Sequence, residues 1–481
     1  MKTNPPRRTK IIATLGPATD EPEKMRALIL SGANLLRINC SHETHEVQKN
    51  RILLAKKIAE EEKKIIGILL DLQGPKLRIA KFKTKEIVLV EGARFILDAD
   101  LPPDEGSLDA VGLDYKFLPN DVKSGDHLLL DDGRIDLLVE AVEPPRVITK
   151  VIVGGQLSNN KGLNRQGGGL SAAALTEKDK IDVMYYSNLP IDYVAISFPK
   201  SADDMHQARH LMVEAGLNAL LVAKIERVEA ITALSEIIEA SDAIMVARGD
   251  LGVEISYAEL PGIQKEIIER TVEADKPVII ATQMMESMIN SPIPTRAEVS
   301  DVANAILDGT DAIMLSAETA SGRYPIKVLE SAHKICLAAE RHRVAKRSGH
   351  RIETMFERHD EAIAMGAMYL ANHLPVTAIV TLTESGSTPL WMSRIRSAIP
   401  IYALSRHPLS CARMTLYRGV YPVFFDATLY KPWEISRYAL SYLIDLGLLQ
   451  TGDKAIVTKG HIVGVGGRTN TLKILTAKPF K

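Results

Sequence analysis

The chain has 481 residues, which at roughly 150 per domain predicts about three domains. With 46% hydrophobic and 25% charged residues it carries enough apolar side chain for several cores, so disorder is excluded as its main state. Lys+Arg 59 against Asp+Glu 60 leave a net charge of −1, and no overall electrostatic case for nucleic acid or anionic lipid as a partner.

The first ten residues are polar and basic and lack the apolar stretch of a secretory signal. No apolar run reaches the ~20 residues of a membrane span. Both readings predict a cytoplasmic protein with no membrane partner. From Lys10 onward a short, β-rich apolar run recurs, at residues 11–15, 35–39, 65–71, 193–198, 220–225, 243–247, 278–281 and 312–315. Helical periodicity follows many of them, as at 23–30, 201–214 and 228–240. Unbroken apolar runs predict parallel strands buried on both faces, and eight βα units predict an α/β fold, a closed (β/α)8 barrel. Arg37, Asn39, Asp71, Lys200, Lys224, Glu226, Arg248, Asp250, Thr282, Ser316 and Glu318 fall at the C-terminal ends of these runs. That rim is where such barrels place their active site. Solvated strand ends carry polar residues in any case, so the signal is their presence at nearly every end.

Residues 74–169 interrupt the barrel pattern with alternating segments at 86–90, 94–99, 127–130, 135–142 and 146–153, separated by Pro, Gly and Asp turns. They predict an inserted all-β domain whose Gly- and Asn-rich exit, 158–170, acts as a hinge. A charged helical stretch spans 341–351. Strand-like runs at 378–381, 401–404, 420–425 and 454–458 then predict a third, α/β domain with a mostly parallel sheet. The expected divisions are barrel 1–73, inserted β-domain 74–169, barrel 170–341 and C-terminal domain 342–481. Cys40, Cys336 and Cys411 are too far apart for a disulfide framework or a CxxC metal knuckle.

In Ala223-Lys224-Ile225-Glu226 the Lys and Glu share one strand face. A lysine in a barrel mouth is a Schiff-base nucleophile or a cation opposite an oxyanion, and the nearby carboxylate favours the second. A plain strand-end ion pair is the competing reading. In Arg248-Gly249-Asp250-Leu251-Gly252 the glycines allow close backbone approach to a ligand, although a tight turn explains that motif taken alone. Asp250 and Glu226 together offer carboxylate oxygens suited to Mg2+, or to Mn2+ in its place, and no His pair at ligand spacing competes for zinc. Thr282 either caps a helix starting there or orients a substrate or water. Met284, Met285 and Met288 read as core packing.

These motifs give the chain a close resemblance to the pyruvate kinase family, of bacterial type. It is carried by residues 9–17, Arg37-Ile38-Asn39-Cys40-Ser41-His42, residues 71–78, 223–226, 245–252, 281–288 and 294–315, and Ser316-Ala317-Glu318-Thr319-Ala320. The resemblance implies a barrel, a β-domain that closes over the site, a C-terminal regulatory domain and a homotetramer. It implies phosphoryl transfer from phosphoenolpyruvate to ADP, giving pyruvate and ATP. It implies that Arg37 and Lys224 hold the phosphoryl group, that Glu226 and Asp250 bind Mg2+, and that Gly249, Asp250 and Thr282 take the substrate carboxylate. Thr282 is placed at the proton relay to the enolate carbon, with Ser316 and Glu318 behind it, and Asn39, His42, Arg78 and Lys200 line the nucleotide side. The weighed alternatives are a metal-dependent aldolase of pyruvate, and a metabolite sensor with a dead site. The second predicts loss of Lys224, Glu226 or Asp250, and all three are present.

Two further expectations concern regulation. Many family members hold K+ near Asn39, Ser41, Asp71 and the carbonyl of Leu72, and carry a glutamate where this chain has Lys76. The chain resembles the subset with Lys there, so the tethered ammonium is expected to make K+ unnecessary; a solvated hinge residue is the plainer reading of Lys76. In the third domain, Thr383-Glu384-Ser385-Gly386-Ser387-Thr388 precedes a helix opened by Pro389. Hydroxyls and N–H groups there suit an anion, a simple cap being the alternative. The resemblance implies a phosphorylated allosteric effector held by Thr383, Ser385, Gly386, Ser387 and Thr388. Residues 460–467 lack the arginine common in members regulated by fructose bisphosphate and include His461. A sugar monophosphate or nucleotide monophosphate is therefore expected.

Overall fold

The computed structural model describes residues 6–75, 77–346, 355–461 and 467–480. Strands Lys10–Thr14, Leu35–Asn39, Gly67–Asp71, Tyr193–Ile196, Leu220–Ile225, Ala243–Ala247, Val278–Ala281 and Ala312–Leu315 close into a parallel barrel in chain order, the first pairing with the last. Ile12, Leu69, Val222, Met245, Ile279 and Met314 are buried in one apolar cluster inside it. Their neighbours Ile11, Ile68, Val246, Ile280 and Ile313 pack with the surrounding helices in another. Burial on both faces is why these segments read as unbroken apolar runs.

Three local expectations are corrected. The fourth strand stops at Ile196, because Phe198 adopts φ 58 and turns the chain out of the barrel wall. The stretch 228–240 forms two helices, Val228–Thr232 and Leu234–Ala240, with Ala233 capping both. No helix starts at Thr282: Thr282 and Gln283 hold φ 66 and 53, which a right-handed helix does not admit, and only the 3-10 turn Glu286–Ile289 follows. The capping alternative for Thr282 is therefore overturned.

The insertion is all-β apart from the one-turn helix Leu118–Asp121. Its larger sheet runs Leu163–Arg165, His127–Leu130, Ile135–Glu143, Arg146–Val153, Arg94–Asp98 and Ala110–Gly112, and Gly155–Ser158 pairs separately with Glu86–Leu89. Phe95, Leu97, Leu128, Leu130, Leu137 and Val147 form a core of its own. Three strands that the sequence reading did not include, Ala110–Gly112, Gly155–Ser158 and Leu163–Arg165, are three or four residues long.

The C-terminal sheet has the order Val420–Phe424, Ile401–Ser405, Ala378–Leu382, Lys454–Gly460, Thr469–Thr476, parallel except for the last strand. That domain seats on the barrel floor, where Met414, Leu416, Tyr417 and Val420 belong to the same apolar cluster as the barrel interior. The fully buried pair Arg394–Asp311 and the Tyr193 hydroxyl, donating to Arg413 O at 2.6 Å, add polar ties. Of the charged stretch 341–351, Arg343–Lys346 is a 3-10 turn and the residues from 347 on lie outside the described ones. Among the described residues no helix is long and apolar enough to cross a membrane.

Candidate active site

Strand ends of the barrel and the underside of the lid enclose a cavity of about 630 Å3. Arg37, Asn39, Asp71, Lys224, Glu226 and Asp250 line it, although they come from four separate βα units. The barrel achieves this by register: Asn39 pairs with Asp71, and Lys224 with Met245, so the polar ends arrive at one height. Ser41, His42, Leu72 and Arg78 line it as well. Lys76 lies outside the described residues.

Lys224 is the centre of the charge pattern. Its Nζ lies 2.9 Å from Glu226 Oε1 and 3.3 Å from Asp71 Oδ1, and donates to Ser197 Oγ at 2.7 Å. Burial alone would depress this ammonium. The Asp71 and Glu226 carboxylates outweigh it and hold its pKa above the ordinary lysine value, so Lys224 is charged. A Schiff-base role needs the neutral amine, and this environment disfavours it. Asp71 also pairs with Arg37 at 2.6 Å; burial pushes it up, but the two cations prevail and keep it low.

Glu226 and Asp250 behave differently. Burial pushes Glu226 up to about 7, with Lys224 opposing and Asp250 adding to the rise. Burial likewise raises Asp250, opposed by Lys224 and reinforced by Asp132 and Asp71. These two recessed carboxylates have less positive charge around them than they need, so the donor set fits one divalent cation. Among the described residues no group of three or more His, Cys, Asp or Glu gathers as a metal cage. Two carboxylates with the rest of the sphere left to substrate and water is the usual arrangement for Mg2+.

Arg248–Glu254 is a short helix that begins directly after its strand. Gly249 N–H donates to Thr282 Oγ1 at 2.8 Å, and Thr282 Oγ1 donates to Ala281 O at 2.6 Å. The hydroxyl and the amide proposed for one carboxylate thus already face each other. Glu318 is buried and joins two loops, accepting from Ser316 N–H at 2.7 Å and from Met285 N–H at 3.2 Å. Gly249, Thr282, Ser316, Glu318 and Lys200 do not line the cavity itself. Lys200 points elsewhere, donating to Ser171 O at 3.2 Å.

Sequence reasoning missed the lid's contribution. Asp131 and Asp132 line the cavity at φ 51 and 57, and Lys161 pairs with Asp131 at 2.6 Å. In the sequence, Asp131-Asp132-Gly133 reads as one more hairpin turn, and nothing local distinguishes it. Ser197 was also missed; it accepts from Lys224 and donates to the Leu72 carbonyl at 2.7 Å.

A second concavity lies in the C-terminal domain, lined by Thr383, Ser385, Ser387 and Thr388. Gly386 holds φ 91, and a Cβ there would meet Met414 Cγ at 3.0 Å. Arg406, Lys459 and Arg468 supply positive charge to this wall. The sequence argument from residues 460–467 stopped one residue short of Arg468 and did not reach Arg406. Residues 462–466 of that segment lie outside the described ones.

A charged lysine between carboxylates at the mouth of a (β/α)8 barrel is the arrangement of an enzyme that neutralises negative charge developing on an oxygen. Comparison with known proteins is specific. The pyruvate kinase barrel-domain family matches residues 6–329, and the pyruvate kinase alpha/beta-domain family matches residues 361–475. The chain is 53% identical over 473 residues to a pyruvate kinase of Buchnera aphidicola, covering 98% of each. It is 52% identical over 476 residues to pyruvate kinase II of Salmonella typhimurium, covering 98% of this chain and 99% of that protein. A pyruvate kinase of Haemophilus influenzae is 51% identical over 458 residues, covering 94% and 96%. The chain belongs to the pyruvate kinase family.

Proposed function

We propose that the chain transfers the phosphoryl group of phosphoenolpyruvate to ADP, giving pyruvate and ATP. The observation that carries this reading is Lys224, held charged between Asp71 and Glu226 in the cavity beneath the lid. Phosphoryl transfer depends mainly on positioning and on neutralising charge as it develops. Arg37 and Lys224 bind the transferring group, and Lys224 stabilises the charge that appears on the enolate oxygen. Glu226 and Asp250 hold Mg2+, which when bound supplies a positive charge to phosphate and enolpyruvate oxygens.

The substrate carboxylate is received by Thr282 and the N–H groups of Gly249 and Asp250. Its arrival replaces the Gly249–Thr282 hydrogen bond, so neither group is left unpaired before or after binding. Thr282, with Ser316 and Glu318 behind it, delivers the proton to the enolate carbon. Asn39, His42, Arg78 and Lys200 serve the nucleotide, and Lys200 must swing from Ser171 to do so. The lid closes about residues 71–75 and 167–169 and excludes water from the phosphoryl group.

Lys76 takes the place of K+ beside Asn39, Ser41, Asp71 and Leu72, and the enzyme works without a monovalent cation. A sugar monophosphate or nucleotide monophosphate binds the loop bearing Thr383, Ser385, Gly386, Ser387 and Thr388. The resemblance also supports a homotetramer in the cytoplasm.

The test is pyruvate formation from phosphoenolpyruvate and ADP by the purified protein, and by Lys224→Met. A preorganised charge at an oxyanion is worth ~10² or more in kcat. The parent is expected to be active and the variant to fall at least that far with phosphoenolpyruvate affinity largely kept. A variant with more than about a tenth of parental kcat overturns the role of Lys224.

A further inference from the structure

Asn39 and His42, which the proposed function assigns to the nucleotide side, belong to a loop, residues 39–42, that is held from behind at three of its backbone carbonyls. Gln48 sits in the first turn of helix His45–Glu61 and is 3% exposed. Its Nε2 donates to Asn39 O at 2.8 Å and to His42 O at 2.5 Å. Its Oε1 accepts from the hydroxyl of Tyr186, a fully buried residue at the end of helix Glu177–Tyr186. Lys178 of that same helix donates to Cys40 O at 2.8 Å and pairs with the buried Asp182. Three carbonyls of the loop therefore have their positions fixed from outside the cavity, which leaves the side chains of Asn39, Ser41 and His42 at its wall.

The helix that anchors this clamp also receives the chain entering the lid. Asp179, fully buried, accepts from Gly74 N–H at 3.2 Å and caps its own helix through Thr176 N–H at 2.9 Å and Thr176 Oγ1 at 2.6 Å. Gly74 has no slack there, since it holds φ 64 and a Cβ would meet Ser197 Cβ at 2.7 Å. One helix thus sets both the curvature of the 39–42 loop and the point from which the lid swings.

We propose that Gln48 is a positioning residue for the nucleotide: through the Asn39 and His42 carbonyls it fixes the loop that ADP contacts, and through Tyr186 it references that loop to the lid's hinge. It touches neither substrate, and phosphoenolpyruvate, bound by Arg37, Lys224 and Thr282, does not depend on it. This inference rests on the function proposed above.

The experiment is steady-state kinetics of Gln48→Met, which keeps the side chain's length and removes its donors and acceptor. ADP and phosphoenolpyruvate are varied in turn. The KM for ADP is expected to rise about tenfold, with the KM for phosphoenolpyruvate within about twofold of the parent, tenfold corresponding to ~1.4 kcal/mol. Tyr186→Phe, which leaves the Gln48 donors in place, and Lys178→Met, which removes one carbonyl contact, are expected to raise the ADP KM by smaller factors. These two carry the test if Gln48→Met does not fold. A purely structural role would lower the active fraction and melting temperature and leave both KM values unchanged. That outcome, equal shifts in both KM values, or no shift overturns the proposal. A parent that forms no pyruvate overturns the underlying function and this inference with it, which distinguishes the two failures.

Discussion

Arg248 donates to the carbonyl of Thr282 from Nε at 3.2 Å and from Nη2 at 2.7 Å, while Thr282 stands at φ 66. A β-branched residue reaches that region only when its surroundings impose it. Asp301, on helix Arg296–Asp308, locks the guanidinium with two bonds of 2.8 and 2.7 Å. The hydroxyl of Thr282 meets Gly249 N–H because of this brace, and not because of any local helix.

Arg248→Lys keeps the charge but cannot span Thr282 O and Asp301 together. We expect kcat to fall ~10- to 100-fold, the range that a small displacement of a reacting group produces. Circular dichroism should show an intact fold. Parental kcat in this variant would remove Arg248 from the account of Thr282.

Glu254 supplies a pH dependence. Burial pushes its carboxyl up to about 7, with the Val228 N–H opposing and Glu229 adding to the rise. A carboxyl raised above its ordinary 4.5 in the fold stabilises fully below that value, and the contribution is lost as pH rises through about 7. The parent is expected to lose stability between pH 5 and 8 more steeply than Glu254→Gln, by an amount on the order of a few kcal/mol, seen as a steeper fall in melting temperature. Scanning fluorimetry in both proteins across that window decides it; parallel curves would exclude Glu254 as the source.

The charge at Lys76 predicts monovalent-cation behaviour. Activity with tetramethylammonium as the only monovalent cation should be close to that with K+, and Lys76→Glu should become dependent on K+. Leu72 and Gln73 are the further positions to change if the single substitution gives no dependence. Stimulation of the parent by K+ of more than about tenfold, ~1.4 kcal/mol in effective activation barrier, would defeat the substitution argument.

The C-terminal concavity predicts activation. Sugar monophosphates and nucleotide monophosphates are expected to shift the phosphoenolpyruvate half-saturation to lower concentration, and Arg406→Ala or Ser385→Ala should weaken that shift severalfold. Activation by fructose bisphosphate alone would refute the preference among effectors, and the presence of Arg406 and Arg468 in the wall makes that comparison the decisive arm. No response to any of these compounds would refute the site.

What the sequence made legible follows from range. Strands buried on both faces write themselves as apolar runs, so the barrel could be read strand by strand. Lys224 and Glu226 are two residues apart on one strand, and their shared face is a matter of period. The helix expected to start at Thr282 does not form, because the backbone there is held by Arg248, 34 residues away. Asp131, Asp132 and Lys161 were missed because a turn that closes over a site and a turn that faces solvent have the same composition. Arg406 is brought to the loop at 383–388 by the pairing of Ala378–Leu382 with Ile401–Ser405, and it pairs there with Glu384 at 3.1 Å.

The distribution of apolar contacts has a consequence for how the molecule comes apart. The barrel interior and the near face of the C-terminal sheet share one buried cluster, with a second cluster on that sheet's far face, whereas the lid keeps a separate one. Cooperativity follows such continuity, so barrel and C-terminal domain are expected to melt as one unit and the lid as another. Amide protons of the lid strands can therefore exchange by a subglobal opening that leaves Ile279 or Val222 protected. Strain or ligand energy delivered to the C-terminal sheet, in contrast, reaches the barrel floor through side chains such as Tyr417, which packs in the same buried cluster as the strands above it.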